Sequence, residues 1–156
     1  MVIVKRSLLD RSPDKLHTYL NYNTHVEKDS MYNTPPTFTI YMMGLVYKWL
    51  LNKGGLKEMY KINQAKAQML YDAIDNSEGF YIGSAAVEDR SLMNVTFNLQ
   101  SEELEKKMVA EATEKGFSGL KGHRSVGGLR ASIYNAFPTK GVEDLVQFMS
   151  DFKAKN

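Results

Sequence analysis

The residues best suited to chemistry lie in one stretch, KGHRSVGGLRAS, which runs from Lys121 to Ser132. It contains His123, Arg124 and Arg130, with a glycine pair between the two arginines. Guanidinium groups bind carboxylate and phosphate through paired hydrogen bonds, and glycine lets a backbone approach an anion closely. The stretch indicates a site for a small molecule with two acidic ends. A turn with solvated charges is the alternative that these residues leave open.

A second polar pair precedes a predicted helix. Asn33 and Thr34 are followed by Pro35 and Pro36, and proline pre-sets the backbone angle φ for the start of a helix. We therefore expect Asn33 and Thr34 at or just before a helix N-terminus, where short polar side chains cap the helix and free N–H groups attract anions. A plain helix cap is the alternative here.

Composition excludes several classes of function. The chain has 156 residues and a net charge of +2 without a basic block, so we expect no nucleic-acid partner. No apolar run has the length of a membrane span, and the N-terminus lacks a secretory pattern, which favours the cytoplasm and no membrane contact. The absence of cysteine excludes disulfides and thiol catalysis. The histidines His17, His25 and His123 lack metal-ligand spacing, so we expect no metal site.

Hydrophobic periodicity predicts an α/β protein whose main part is a two-layer α+β domain. A short strand is expected at 2–4, an irregular polar connection at 6–30 and a long apolar helix at 37–52. From residue 56 the order is helix, strand, strand, helix, strand, strand, helix, with an antiparallel or mixed sheet. The expected positions are a helix at 56–75, strands at 80–82 and 94–99, a helix after Ser101, strands at 117–122 and 130–135, and a helix after Gly141.

Two motifs in matching order and spacing carry a resemblance to a known family. The segments DSMYNTPPTF at 29–38 and KGHRSVGGLRASIYNA at 121–136 closely resemble the phosphoserine aminotransferases, which are fold-type I enzymes dependent on pyridoxal phosphate. Shorter supporting stretches lie at 54–56, 61–63, 90–94 and 141–142. The resemblance extends over the whole chain.

The resemblance implies an activity, a cofactor and an assembly. Enzymes of this family are cytoplasmic homodimers that use pyridoxal 5'-phosphate. They transfer an amino group between glutamate and 3-phosphohydroxypyruvate, which yields phosphoserine and 2-oxoglutarate in serine biosynthesis. In many bacteria the same enzyme also acts on a related compound of vitamin B6 synthesis.

The resemblance also implies roles for five residues of this chain. Asn33 and Thr34 match the pair that binds the cofactor phosphate of the neighbouring subunit. His123 and Arg124 match residues that hold the phosphate or distal carboxylate of the substrate. Arg130 matches the arginine that binds the substrate α-carboxylate.

The family's catalytic residues have no counterpart here. Its Schiff-base lysine lies just before the segment that matches 2–4, so we expect no catalytic residue in this chain, no activity of the chain alone, and weak or no binding of pyridoxal phosphate. The resemblance divides the chain into a remnant of the large cofactor-binding domain and its connecting arm at 1–35, a linking helix at 36–55, and the C-terminal small α+β domain at 56–156.

A different class of function remains open, which is a stand-alone, non-catalytic module that binds anions or a partner. Without the large domain, the apolar face of the Phe38–Leu50 helix would be exposed to solvent. We expect it to be buried by dimerisation or by exchange of a strand or helix.

Overall fold

The computed structural model describes residues 1–13 and 15–156 and divides into two compact units, Met1–Trp49 and Leu50–Asn156. Asp14, which falls inside the predicted polar connection, lies outside the described residues. No helix among the described residues has the length and apolar character needed to cross a membrane. Each unit is described by itself below.

The first unit is more helical than the sequence predicts. Two short 3-10 helices, Arg6–Arg11 and Thr18–Leu20, precede the short helix α1, Tyr22–Glu27. Asn21 caps α1, because its Oδ1 accepts a hydrogen bond from the backbone N–H of Asn23 at 3.0 Å. The predicted strand at 2–4 is wrong, since these residues form no strand and pair with no strand within the described chain. A β-branched run forms a strand only where a neighbouring strand accepts its backbone hydrogen bonds.

The long helix α2 spans Thr37–Asn52, which are the predicted bounds. Its first turn uses the backbone carbonyl of Pro36, which accepts from the N–H of Ile40 at 3.0 Å. Past the C-terminus, Gly54 adopts φ +97°, a value that favours glycine. None of the α2 side chains is buried, and Phe38 and Leu51 are 75% and 72% exposed.

The second unit opens with helix α3, Gly55–Asp75, and the predicted buried face of this helix is confirmed. The sheet has three antiparallel strands in the order β1 (Tyr81–Gly83), β2 (Asn94–Leu99) and β3 (Leu129–Ser132). Two further helices, α4 (Glu102–Glu114) and α5 (Thr139–Lys155), complete the unit. The buried members of the predicted α3 face are Met59, Asn63, Ala67, Leu70 and Ile74.

One core joins these elements. Apolar side chains from α3, α4 and α5 pack on the face of the sheet that carries Val95 and Phe97, both fully buried. The helix α5 begins two residues before the predicted Gly141, because Pro138 already occupies the position before its first turn. The other large core residues include Leu70, Tyr81, Met108, Leu129, Ile133, Val142, Met149 and Phe152.

The predicted strand at 117–122 is wrong. Only Lys121 forms a bridge, opposite Leu129, while the N–H groups of Gly122 and Arg130 each donate to a carbonyl across the gap at 2.8 Å. Gly119 has φ +80°, which is outside the extended region and ends any longer ladder. Residues 120–130 therefore form a narrow hairpin that leads into β3.

A buried cation ties α3 to the chain after β3. Lys66 has no exposed surface, and its Nζ donates to the backbone carbonyls of Ile133 at 3.1 Å, Tyr134 at 2.8 Å and Phe137 at 3.0 Å. Burial lowers the pKa of Lys66, because removal from water disfavours the charged form. Next to it, Asn63 Nδ2 donates to Asn135 Oδ1 at 2.7 Å. Together these contacts fix the turn between β3 and α5.

We expect Lys66→Met to lower the free energy of unfolding by about 2 kcal/mol, since the substitution leaves buried carbonyls without a donor. Urea unfolding followed by circular dichroism measures the change. Lys57→Met is the matched control, because Lys57 lies on the exposed side of the same helix. Equal midpoints for the two variants would contradict a stabilising role for Lys66.

Stability should also depend on pH through Tyr81, which is buried and donates its hydroxyl to the carbonyl of Met149 at 2.8 Å. Burial raises the pKa of Tyr81 above its ordinary value of 10.0. The unfolded chain then loses this proton at lower pH than the folded chain, so the free energy of unfolding falls as pH rises above about 10. The slope is about 1.4 kcal/mol per pH unit for one proton.

Tyr81→Phe removes the ionisable group, so its unfolding curve should decline less steeply above that pH. Tyr60→Phe, at an exposed position of α3, should keep the slope of the unsubstituted chain. Parallel curves for all three proteins would show that Tyr81 does not titrate differently on folding.

Candidate functional site

Strand β3 places Arg130 on the face of the sheet opposite the core. Leu129 and Ala131 point inward, with 1% and 3% exposure, while Arg130 and Ser132 lie on the outer face. The register sets Thr96 opposite Arg130 and Asn94 opposite Ser132. Because side chains alternate along a strand, the guanidinium shares this face with polar side chains of β2.

Arg130 has unused hydrogen-bonding capacity. Its Nε is buried and makes no hydrogen bond among the described residues, and the ion pairs of the described chain do not include it. A buried donor without a partner is uncommon in folded proteins. A guanidinium in this state is well suited to receive a carboxylate or phosphate.

The neighbours of Arg130 on the outer face hold one another in place. Ser132 Oγ donates to Asn94 Oδ1 at 3.1 Å, and Asn94 Nδ2 donates to Tyr134 Oη at 3.1 Å. Further along β2, on the same face, Asn98 Nδ2 donates to Glu105 Oε1 at 3.1 Å. These amides are hydrogen-bonded within the fold, whereas Arg130 Nε has no partner among the described residues. The alternation of Asn94, Thr96 and Asn98 in the sequence was the signal for this polar face.

His123 and Arg124 lie in the loop of the hairpin and are exposed. The carbonyl of His123 accepts from the N–H groups of Val126 at 2.9 Å and Gly127 at 2.8 Å, which closes the loop. The backbone N–H of Ser125 donates to His123 Nδ1 at 3.3 Å. In the neutral imidazole, Nδ1 is then the acceptor and Nε2 carries the proton. The ring therefore offers an N–H donor at Nε2.

The glycines of this hairpin bring backbone segments together. A Cβ on Gly122 would lie 2.0 Å from the carbonyl oxygen of Gly127. Gly128 has φ +64°, and a Cβ there would lie 2.6 Å from Asn98 Nδ2. The close approach of the hairpin arms to each other and to β2 thus requires glycine, independently of any ligand.

Asn33 and Thr34 lie in the first unit, just before α2, as the sequence predicts. Asn33 Oδ1 accepts a hydrogen bond from the hydroxyl of Tyr19 at 2.9 Å. Among the described residues, neither side chain makes a hydrogen bond to the first turn of α2. Asn33 and Thr34 therefore lie where the sequence predicts, but among the described residues their side chains do not cap α2.

The structure adds an ion pair that sequence reasoning missed. Arg90 donates to both carboxylate oxygens of Asp75 at 2.7 Å and lies 4.6 Å above the ring of Tyr71. The hydrogen bond from Arg90 lowers the pKa of Asp75. The pair joins the C-terminus of α3 to the connection between β1 and β2. The sequence offers no signal for this pairing, because its members are 15 residues apart and on different elements.

The first unit also contains an open apolar groove of about 970 Å³. Its lining includes Val4, Tyr22, Val26 and Ile40, and neither Asn33 nor Thr34 contributes to it. The groove is therefore separate from the candidate phosphate contacts. Other apolar lining residues include Met1, Val2, Leu9, Pro35, Met43 and Tyr47, and the polar ones are Arg6, His25, Ser30 and Thr39.

Comparison with known proteins places the chain in a family. The profile of the aminotransferase class-V family matches residues 4–145. The chain belongs to the class-V aminotransferase family. This membership confirms the family that the two sequence motifs indicated, and the three-stranded sheet with its helices matches part of the corresponding fold.

Relatives within this family include several phosphoserine aminotransferases. Over 156 residues the chain is 53% identical to the phosphoserine aminotransferase of Lysinibacillus sphaericus, and it covers 43% of that protein. The structure of the enzyme from Bacillus circulans subsp. alkalophilus matches 97% of the chain with a TM-score of 0.93 and 55% identity, over 42% of its own length. A structure of phosphoserine aminotransferase with bound pyridoxal phosphate, from Trichomonas vaginalis, matches 88% of the chain with a TM-score of 0.80 and 39% identity, over 39% of its own length.

The chain thus spans less than half the length of these relatives. The activity and substrates of these relatives are therefore only proposed for this chain. The two motifs that carry the resemblance contain five candidate site residues, which are Asn33, Thr34, His123, Arg124 and Arg130.

The hairpin predicts the effect of a small substitution. Gly122→Ala places a methyl group against the backbone carbonyl of Gly127. Because this clash is with backbone atoms, it can be relieved only by a shift of the loop. We expect a loss of about 2 kcal/mol in the free energy of unfolding. Gly44→Ala is the control, because a Cβ there has open space inside α2, and this change should leave stability equal or slightly higher. Similar losses in both variants would refute the close-approach argument.

Proposed function

We propose that this chain is the C-terminal portion of a phosphoserine transaminase. The enzyme would convert 3-phosphohydroxypyruvate and glutamate into phosphoserine and 2-oxoglutarate, for serine biosynthesis. The proposal is supported by the identity of 53% to the Lysinibacillus enzyme over the whole chain and by the presence of both anion-binding motifs. The observation that carries it is the buried Nε of Arg130, on the polar face of the sheet, which has no partner among the described residues.

Each of the two substrates carries an acidic group at both ends. Glutamate and 3-phosphohydroxypyruvate each carry an α-carboxylate and a distal acid, which is a carboxylate in one and a phosphate in the other. We assign the α-carboxylate to Arg130 and the distal acid to His123 and Arg124. Two separate cationic contacts suit both substrates, since a guanidinium binds carboxylate and phosphate with similar geometry.

The residues of this chain also fit the cofactor phosphate. We assign that contact to Asn33 and Thr34, in the active site of the neighbouring subunit of a homodimer. The N–H groups of Asn33 Nδ2 and the hydroxyl of Thr34 are neutral donors, and such donors bind phosphate oxygens near helix starts. Pyridoxal phosphate, when bound, supplies the electron-withdrawing ring on which amino-group transfer depends.

In this proposal the chain orients the reactants and does not carry out the chemical step. Arg130 fixes the α-carboxylate, which limits rotation of the neighbouring carbon that exchanges its amino group. His123 and Arg124 fix the far end, so the substrate is held at two points. Such orientation lowers the barrier by removing freedom before the reaction, and misplacement of about 1 Å is costly.

We further propose the division into an arm at 1–35, a linking helix at 36–55 and a small domain at 56–156, in a cytoplasmic homodimer. The exposed apolar side chains of α2 support the larger assembly, because contiguous apolar surface usually marks an interface. The alternative, a stand-alone binding module, predicts function without any further chain.

A chimera tests the proposal. This chain replaces the matching 43% of the Lysinibacillus enzyme, and phosphoserine formation is measured by mass spectrometry. We expect turnover by the chimera and none by the chain alone. A folded chimera that holds pyridoxal phosphate and makes no phosphoserine would overturn the proposal. Turnover by the chain alone, or tight anion binding without turnover in the chimera, would favour the alternative module.

The two arginines should have separable effects in the chimera. Arg130→Gln should lower kcat/KM about 100-fold for every substrate with an α-carboxylate, since a charge-assisted contact is lost. Arg124→Gln should lower it for glutamate and 3-phosphohydroxypyruvate, and leave it nearly unchanged for alanine and hydroxypyruvate, which have no distal acid. Steady-state kinetics on the four substrates makes the comparison.

Arg11→Gln serves as the control, because Arg11 is exposed and lies outside the two motifs. It should leave all four rate constants unchanged. If Arg124→Gln slowed alanine as strongly as glutamate, the assignment of Arg124 to the distal acid would be wrong.

A further inference from the structure

One hydrogen bond decides which end of the Asn33 amide is available. The hydroxyl of Tyr19 donates to Asn33 Oδ1 at 2.9 Å. A carboxamide has an acceptor end and a donor end, and Tyr19 occupies the acceptor. Among the described residues, the Nδ2 end makes no hydrogen bond, so its N–H donors remain available to an external acceptor.

Tyr19 is itself held from several sides. His25 Nε2 lies 3.1 Å from the backbone carbonyl of Tyr19. The Tyr19 ring packs edge-on against the ring of Tyr32, with centroids 6.0 Å apart, and His25 packs edge-on against the same Tyr32 ring at 6.3 Å. On its other side Tyr19 stacks with His17 at 6.4 Å. Aromatic pairs in edge-on and stacked arrangements at these distances attract each other, so these contacts favour the observed position of the Tyr19 ring.

These contacts connect the chain before α1 with the residues before α2. Tyr19 lies in a short 3-10 helix, and Asn33 lies 14 residues later. A hydrogen bond between segments this far apart in sequence fixes a loop that local backbone preferences leave free. The pre-set orientation reduces the entropy that Asn33 would lose on binding an anion.

We propose that Tyr19 is a positioning residue, which holds the amide of Asn33 so that its N–H groups serve a phosphate. The inference rests on the proposed function, in which Asn33 contacts the cofactor phosphate. It adds a residue to which neither of the two motifs extends. Tyr19 acts through Asn33 and touches no reacting atom.

The test compares two single-hydroxyl removals in the full chain. Tyr19→Phe deletes the hydrogen bond and retains the ring. Tyr32→Phe is the matched control, because it deletes a hydroxyl from the adjacent ring, which makes no hydrogen bond among the described residues. Nuclear magnetic resonance follows the side-chain NH₂ signal of Asn33 in each protein. Thermal unfolding is recorded in parallel and should be the same for all three.

Without ligand, Tyr19→Phe should increase the mobility of the Asn33 amide, seen as lower order parameters of its NH₂ group. Titration with inorganic phosphate, at ionic strength matched with chloride, should then show an affinity about three- to tenfold weaker than in the unsubstituted chain. Pyridoxal phosphate should show the same ratio, and pyridoxal, which lacks the phosphate, should leave the Asn33 signal unmoved. Tyr32→Phe should match the unsubstituted chain throughout.

The outcomes separate this inference from the proposed function. If the unsubstituted chain binds phosphate at Asn33 and Tyr19→Phe binds it equally well, the positioning role is refuted while the phosphate contact stands. If phosphate and pyridoxal phosphate leave the Asn33 signal unmoved in every protein, the chain by itself offers no phosphate contact at Asn33 and the inference fails, whereas the proposed function is decided separately by turnover of the chimera. A weaker affinity in Tyr32→Phe equal to that in Tyr19→Phe would assign the effect to general loosening of the cluster.

Discussion

The fold of the second unit depends on one buried ammonium group. Lys66 lies on the apolar face of α3 and donates to three backbone carbonyls between β3 and α5. A buried charge is expensive unless hydrogen bonds satisfy it, and here each N–H of the ammonium has an acceptor. The three carbonyls lie in a turn without regular hydrogen bonding, and Lys66 supplies their donors. These bonds thereby join α3 to the end of the sheet, in addition to the hydrophobic core.

The position of Arg130 follows from the packing of β3 on the helices. The buried residues of β3 pack against the helices, so alternation sends Arg130 and Ser132 to the outer face. The neighbouring amides form their own hydrogen bonds, whereas the buried Nε of Arg130 has no partner among the described residues. A guanidinium anchored by a strand with a free donor suits the anion contact that we propose for it. Rigid support of this kind is what a binding group requires.

The first unit shows the opposite balance of burial. None of the side chains of α2 is buried, and an apolar groove lies open beside it. Local hydrogen bonds and aromatic contacts, rather than a core, hold the segment around Tyr19 and Asn33. Since hydrophobic burial is the main stabilising contribution in folding, this unit gains little stability from its own contacts. Its exposed apolar surface is typical of a region that belongs to a larger assembly.

Much of the fold follows from the sequence alone. The bounds of α2, the buried face of α3 and the alternation along β2 were predicted because periodicity is a local property of the chain. The strands predicted at 2–4 and 117–122 were wrong, since a strand also requires a pairing partner and extended backbone at every residue, and Gly119 departs from it. The motifs at 29–38 and 121–136 were enough to indicate the family, which the comparison confirms.

The contacts that set the chemistry were decided by tertiary structure. Lys66 falls at helical spacing among apolar residues, yet nothing local indicates that carbonyls of residues 133–137 meet it. The same holds for Arg90 with Asp75, and for Tyr19 with Asn33. Arg124 and Arg130 were identifiable as cations suited to an anion, with His123 as a polar side chain beside them. The register of β2 and β3 sets the side chains that lie next to Arg130 on the outer face. Only the folded chain determines which donors on this face already have a partner.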